Sequence, residues 1–438
     1  MVQEVANSKN ATVNIGDFEV GWEWLTSLLS FAFKLKAGVT LQKTALKPVL
    51  VMEWLRDYKQ TADSQEAMSL LDILEETRMY ESTLPSDKIY AMLPFAPESD
   101  GVMVDYALKP EQVFTHMAVE LLNKKQSLDI LCHCMLHTSP SNLDLPSWVP
   151  DWTVQGWVEP FRSRKLNTKA AGDSKIRLSI DNDKRILSIF GRMLGKVAAL
   201  ESTKTITLTP GQQAGVPKPP YGMNKVPTDA DGNLQNVPIQ TANTEERNAT
   251  RFNYAKEEAR KTLYDIHNVA SPTGKPTQDV RTAMARTFAC NRSRDGSELD
   301  EDSLLGFDVH TMITCADETF EGIFRWLVEE ATGEDESTER GAAYKTRAMK
   351  AYQAFSGPHF RWCYNRRFFR AEDGNLGWAV NGTEIGDVIA LFYGADYPFI
   401  LREGENGQYR IVGDCYFDQH MDGEGLGDAY TERVFDIV

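Results

Sequence analysis

The seven residues Pro146-Ser147-Trp148-Val149-Pro150-Asp151-Trp152 constrain this chain more than any other stretch. Proline removes a backbone donor, fixes its own φ and pushes the residue before it toward extended geometry, so neither a helix nor a central strand accommodates the segment. A buried tryptophan removes about 150–250 Å² from water. The expectation is an irregular peg pinned to a domain surface. Trp148 and Trp152 face the core, and Asp151 accepts from a neighbouring backbone N–H or an indole.

The periodicity differs on the two sides of the peg. Residues 20–137 read as helical. Asp63 and Glu66 have capping-box spacing, and Ala67, Leu70, Leu71 and Leu74 follow at i, i+3, i+4, i+7. Pro110 sits where a first-turn proline belongs, ahead of Val113, Met117, Leu121 and Leu122. The most apolar stretch, Trp24 to Phe33, is met at once by Lys34 and Lys36. It falls short of the roughly 20 residues of a spanning helix and predicts a buried one.

After the peg the period changes to two. Ile176, Leu178 and Ile180 alternate with polar residues, Asp181-Asn182-Asp183 supplies turn chemistry, and Leu187 and Ile189 resume the alternation, predicting a hairpin. Val388–Phe392, Pro398–Leu401 and Tyr409–Cys415 are further strands, with a turn at Gly404–Gly407. A lone hairpin is marginal, so Ile176–Leu200 is expected to pair with these strands in one sheet. Between them the chain loses both patterns from Ser202 to Thr250. Helical patterns return at Asn253–His267, Gln278–Cys290, Thr311–Thr332 and Ala342–Phe355.

The predicted fold class is α+β, mainly helical at the N-terminus, with a small antiparallel β barrel or curled sheet that carries a helical insertion. The predicted parts are a helical region over 1–160, a β module formed by 173–202 with 361–420, a disordered insertion at 203–250 and a helical insertion at 251–360.

A formal charge of −16 over 438 residues argues against a nucleic-acid or anionic-membrane partner, because phosphate binding depends on Lys and Arg. The six scattered cysteines do not form the dense framework of a small secreted domain. With no basic n-region leading into an apolar run, they predict reduced thiols in the cytoplasm.

The candidate chemistry is thin. Cys132, His133, Cys134 and His137 offer soft ligands, but on a helix the two cysteines diverge by about 200°, so a core helix end is expected rather than a metal site. Arg361, Arg366, Arg367 and Arg370 interleave with Phe360, Trp362, Tyr364, Phe368 and Phe369. Such a run could stack on a nucleic acid; against the acidic remainder it reads as an edge strand kept soluble by arginine. Gly423-Glu424-Gly425-Leu426-Gly427 lacks the context of a dinucleotide fingerprint, and Asp414, Asp418, Asp422 and Glu424 read as solvated turns around it. No nucleophile elbow, P-loop or His-Glu-x-x-His occurs. No catalytic, cofactor-binding or metal-binding residue is therefore expected, and the partner is expected to be a protein.

The peg closely resembles the Leu-Pro-Ser-Trp-Val-Pro-Asp-Trp signature of fungal heterokaryon incompatibility (HET) domain proteins. Val2-Gln3-Glu4-Val5 resembles the motif that closes that family's N-terminal signalling domain. Asp87–Leu93, including Tyr90, resembles its DKIYALL helix, and Val104-Asp105-Tyr106 its VDY. Downstream, Arg366–Gly374, Gly386-Asp387-Val388, Pro398–Arg402, Val412–Tyr416 and Met421–Glu424 resemble the closing β region. The resemblance singles out Gln3, Glu4, Asp87, Tyr90, Asp105, Tyr106, Pro146, Trp148, Pro150, Asp151, Trp152, Arg367, Gly374, Gly386, Asp387, Gly413 and Gly423 as residues with structural roles.

The family's upstream S-Y-x-W-G and I-D-x-I-C-I-N-Q strands do not occur, so the expectation is a chain that starts where the signalling domain ends. The resemblance implies a non-catalytic regulatory or recognition portion of a protein of allorecognition and programmed cell death. The alternatives are a truncated gene model of an enzyme-like, NAD-consuming signalling protein and a stand-alone interaction module.

Overall fold

The computed structural model describes residues 2–34, 43–60, 68–96, 102–136, 142–154, 158–163, 166, 168–181, 185–202, 259–293, 297–316, 320–363 and 365–438. The insertion expected at 203–250 lies outside the described residues, as do Asp63, Glu66, Ala67 and His137. The chain divides into two units, Met1–Trp157 and Val158–Val438.

The first unit is helical. Its elements are α1 (Val2–Asn7), a hairpin of β1 (Thr12–Ile15) and β2 (Phe18–Gly21), α2 (Trp22–Lys34), α3 (Lys43–Gln60), α4 (Leu70–Thr77), α5 (Asp87–Tyr90) and α6 (Pro110–Lys125). Helix α4 starts after Ser69, whose hydroxyl accepts from the Asp72 N–H at 3.1 Å. Leu70, Leu71 and Leu74 are buried on it. Pro110 occupies the first turn of α6, with Val113, Met117, Leu121 and Leu122 buried below.

Helix α2 departs from the expectation of full burial. It buries Trp22, Thr26 and Leu29 at i, i+4 and i+7, while Trp24 and Leu28 are 69% and 50% exposed. The helix is only half buried, because its apolar residues cover more than the one stripe its neighbours can bury. Among the described residues no helix is long and apolar enough to cross a membrane. Asp129–His133 forms a short 3₁₀ helix that buries Cys132, His133 and Cys134. His133 Nε2 lies 3.7 Å from Glu75 Oε2, and no group of metal-ligating residues occurs among the described residues.

The second unit is built on one long strand. A short strand β3 (Leu178–Asp181) leads into β4 (Ile186–Leu200), and these pair as the alternation predicted. Among the described residues five helices follow: α7 (259–270), α8 (Gln278–Phe288), α9 (Asp302–Cys315), α10 (Phe320–Thr332) and α11 (Glu339–Cys363). Seven strands complete the unit: β5 (Arg366–Ala371), β6 (Leu376–Val380), β7 (Val388–Phe392), β8 (Phe399–Glu403), β9 (Tyr409–Asp414), β10 (Tyr416–Phe417) and β11 (Glu432–Ile437).

Strand β7 pairs with β8, β8 with β9 and β9 with β11; β11 pairs with Leu187–Arg192 of β4, and Gly191–Lys196 of β4 pairs back with β7. The ring is closed, which leaves these strands no free edge. Bulges between Met193 and Gly195 and between Val197 and Ala199 bend β4. Its last residues leave the ring to pair with β5, followed by β6 and β10. Gly191 is required at the crossing, because a Cβ there would lie 2.3 Å from the Leu391 carbonyl oxygen.

Three local readings change. Strand β11 lies beyond residue 420, where the sequence pattern ended, and its alternating Phe435 and Ile437 are buried. Helix α9 starts at Asp302 rather than Thr311, and α11 continues to Cys363, so Arg361 and Trp362 are helical. The reason is tertiary: Gly306 lets α9 approach α11 so closely that a Cβ would lie 2.5 Å from the Ala351 carbonyl. Val309, Ile323, Phe324, Leu327 and Ala348 form the core between these helices.

Candidate functional site

The peg is made of turns, as two prolines dictate, and the Val149 N–H donates to the Pro146 carbonyl at 3.0 Å. Trp148 and Trp152 are buried with Pro146 and Pro150. The Asp151 carboxylate accepts from the Thr153 N–H at 2.8 Å and the Thr153 hydroxyl at 2.6 Å, a local turn bond of the kind expected.

A residue the sequence reading missed holds the peg. Arg78, at the C-terminal end of α4, donates from Nη2 to the Asp151 carbonyl at 2.7 Å, and its guanidinium lies 5.0 Å from the Trp152 ring centre. His133 covers the same indole at 5.4 Å. Burial pushes the Arg78 value down to about 10, against the opposing charge of Asp151. No sequence signal separates this arginine from a surface cation at a helix end.

The segment after Arg78 leads to a cleft of about 650 Å³, within the roughly 300–1,000 Å³ typical of ligand pockets. Helix α1 contributes Gln3 and Glu4, α5 contributes Asp87, Lys88 and Tyr90, and Tyr106 also lines it. Four segments distant in sequence, three of them bearing the recognised motifs, thus meet at one concavity.

The polar groups of this cleft brace one another. The Tyr106 hydroxyl donates to Asp87 Oδ1 at 2.8 Å, which raises the phenol above its ordinary value. The Tyr90 hydroxyl donates to the Asp105 carbonyl at 3.0 Å, and the two tyrosine rings meet edge to face at 5.3 Å. Asp105 Oδ1 accepts from the Ala107 N–H at 2.8 Å. Lys88 Nζ donates to the Arg78 carbonyl at 3.0 Å and to that of Tyr80. Burial, and then the Arg78 charge, pushes Lys88 down to about 8.

In the barrel unit the recognised residues are dispersed and serve the backbone. Arg367 donates to the Glu201 carbonyl at 2.5 and 3.2 Å and to the Thr383 carbonyl at 3.0 Å. Asp387 receives a two-pronged pair from Arg402, with Nε at 3.0 Å and Nη2 at 2.9 Å, which raises the arginine. Gly374, Gly386 and Gly423 take φ of +92°, +93° and +102°, where a side chain is disfavoured. At Gly413 a Cβ would meet Val380 at 2.8 Å.

The arginine-aromatic run is not an exposed edge. Strand β5 lies between β4 and β6. Arg366 is fully buried, bonded to Asp414 Oδ1 at 2.7 Å and stacked 3.6 Å from the centre of Phe161. Arg370 donates to the Val269 carbonyl at 2.8 Å. The turns read as solvated are likewise partly buried: Asp414 holds Arg366 and the Phe161 N–H, and Asp418 holds Arg286 at 2.8 Å. Pairing cancels charges that sequence position alone leaves apparently free.

Comparison with known proteins agrees with this arrangement. The profile of the Het-6 beta-barrel domain matches residues 328–437, which span α11 and every strand from β5 to β11. The ring they form closes through β4, which lies outside the matched residues. The chain is 24% identical over 388 residues to "Heterokaryon incompatibility protein 6, OR allele" of Neurospora crassa, an alignment covering 80% of this chain and 50% of the relative. The chain thus spans about half the length of the curated relative it matches. No solved structure matches. With the peg, the cleft motifs and the barrel in one polypeptide, the chain is similar to fungal proteins of the HET type, and its residues 328–437 match the Het-6 beta-barrel domain.

Proposed function

We propose that this chain is the non-catalytic recognition portion of a HET-type protein, acting in the cytoplasm in the allorecognition of heterokaryon incompatibility and the programmed cell death that follows it. The likeness to the Neurospora protein supports the process. The observation that carries the recognition role is the cleft in the helical unit. Its motif residues converge, yet Asp87, Tyr90, Asp105 and Tyr106 bond to one another and to backbone. Groups held in that way fix a shape; they do not form the nucleophile-and-base pair a hydrolytic reaction needs. The proposed occupant is a protein segment, drawn by the Glu4, Glu81 and Asp87 carboxylates toward basic side chains. Nucleic acid, membrane, metal and cofactor have no part in this reading.

The test is an incompatibility assay with the parent protein and with Glu4→Lys and Asp87→Lys. Each substitution should abolish the heterokaryon reaction while protein level stays at the parental value, and purified chain should leave NAD intact. An unchanged reaction in both variants overturns the recognition role. NAD turnover that follows the protein through purification and is lost on mutagenesis overturns the non-catalytic one.

A further inference from the structure

A second concavity lies in the barrel unit, lined in part by the Val412–Tyr416 and Met421–Glu424 motifs. It lies between the C-terminal end of α8 and the loop after β10, with a volume of about 220 Å³. That is below the roughly 300–1,000 Å³ of drug-sized pockets, so it suits a metabolite of a few heavy atoms. Charges of both signs line it: Arg286, Arg292, Asp418, Asp422 and Glu424.

Those charges divide into a rigid pair and an open pair of opposite poles. Arg286 and Asp418 satisfy each other through Nε at 3.2 Å and Nη2 at 2.8 Å, and the Tyr416 hydroxyl adds a bond to Asp418 at 3.2 Å. Arg292 is otherwise held. Its Nε and Nη1 donate to the Leu166 and Asn291 carbonyls at 3.3 and 3.1 Å, and Glu298 stands 3.8 Å off at an exposed position. Backbone carbonyls orient this cation, and its ion pair with the exposed Glu298 is long at 3.8 Å, which leaves its fork suited to a closer carboxylate.

The opposite pole is acidic. Glu424 Oε2 accepts from the Asp422 N–H at 2.8 Å, holding two carboxylate residues side by side. Burial and the neighbouring Glu424 raise the Asp422 carboxyl above its ordinary range, against the Arg292 charge and the Lys169 N–H, which lower it; a bound ammonium group would relieve the remaining rise.

The wall also holds left-handed backbone. Cys290, Asn291 and Gln419, all lining the cavity, take φ of +49°, +52° and +62°. Left-handed backbone is uncommon at non-glycine residues; at Cys290 and Asn291 it caps α8, with the Asn291 N–H donating to the Arg286 carbonyl at 2.7 Å. Here it follows α8 immediately, where the Trp378 indole fixes the Thr287 carbonyl at 2.7 Å.

We infer that this cavity binds a small zwitterion of free amino-acid type, its carboxylate on Arg292 and its ammonium between Asp422 and Glu424. The proposal concerns the barrel unit and stands or falls separately from the recognition role of the helical unit.

The experiment titrates the proteinogenic L-amino acids, one at a time, into the purified full chain by calorimetry. At least one should saturate with one-to-one stoichiometry below about 10 mM. Arg292→Ala and Asp422→Ala should each weaken it about tenfold or more, as loss of a charged hydrogen bond requires, while Arg325→Ala on α10 leaves it unchanged. Should a variant fail to fold, the parent protein still decides the matter. The 2-oxo acid and the decarboxylated amine of the best ligand should each bind at least about tenfold more weakly than the amino acid. Absence of saturation by every amino acid, or equal binding of either one-ended analogue, overturns the proposal.

Discussion

Arg78 in the helical unit and Arg366 in the barrel unit are both buried, both stacked on an aromatic ring and both bonded to a backbone carbonyl. They differ in what their charge does. Arg366 meets the Asp414 carboxylate directly at 2.7 Å, with Asp414 also fully buried. Arg78 uses its guanidinium to grip the peg, and burial draws its value down to about 10. One arginine is half of an ion pair that ties β5 to strand β9 of the closed ring. The other ties an irregular segment to a helix end. Breaking the first strands a charge, whereas breaking the second unseats an aromatic.

That contrast can be broken at its strongest point with Asp414→Ala. The substitution leaves the Arg366 charge buried without its carboxylate and the Phe161 N–H without its acceptor. Stability of the barrel unit should fall near the upper end of the roughly 3–5 kcal/mol known for such losses. Exchanging both partners, Arg366→Met with Asp414→Leu, should recover most of it. Urea midpoints of the single and double variants decide this; a double variant as unstable as the single one refutes the ion-pair account.

Next in size is Trp152→Ala, which should destabilise the helical unit by about 3–4 kcal/mol through lost burial and a cavity beneath Arg78. Hydrogen exchange of Leu70–Thr77 and Asp129–His133 should rise with it. Coincident denaturant midpoints for mutant and parent would show that the peg is not an anchor.

The smallest effect separates the units by pH. Burial pushes His310, packed among Phe288, Tyr352 and Phe355 on α9, down to about 4. Its folded value lies below its unfolded one, so the unfolded chain takes up the proton first as pH falls. The stabilisation is intact above about 6.5 and is lost as pH falls toward about 4, amounting to at most about 3 kcal/mol. Arg78, lowered to about 10, contributes no slope in that window. His310→Gln should therefore flatten the acid loss of the barrel unit between those values. A slope equal to the parent's rules out His310 as its source.

Much of the secondary structure was legible because it depends on neighbours in sequence. The alternation of Leu178, Ile180, Leu187 and Ile189 marks the hairpin of β3 and β4, and Pro110 marks the start of α6. Strand β11 was less legible: Phe435 and Ile437 alternate with charge over too short a run to distinguish it from a tail. The candidate site was half legible. Glu4, Asp87 and Tyr106 stood out through motif resemblance, and Lys88 lay within the same motif, but Arg78 carried no signal, and neither cation's burial could be read, because burial is set by groups brought to it from elsewhere.

By itself the sequence determined the α+β class, the irregular peg with two buried tryptophans and the strands of a small β module, all consequences of proline geometry and hydrophobic period. Only the tertiary structure decided that β4 is shared between the closed ring and the sheet of β5, β6 and β10, and that the arginines of β5 face inward. It also decided that residues of α1, α5 and the loop at Tyr106 border one cleft. Pairing across tens or hundreds of residues depends on which surfaces exclude water together, and local periodicity carries no record of that.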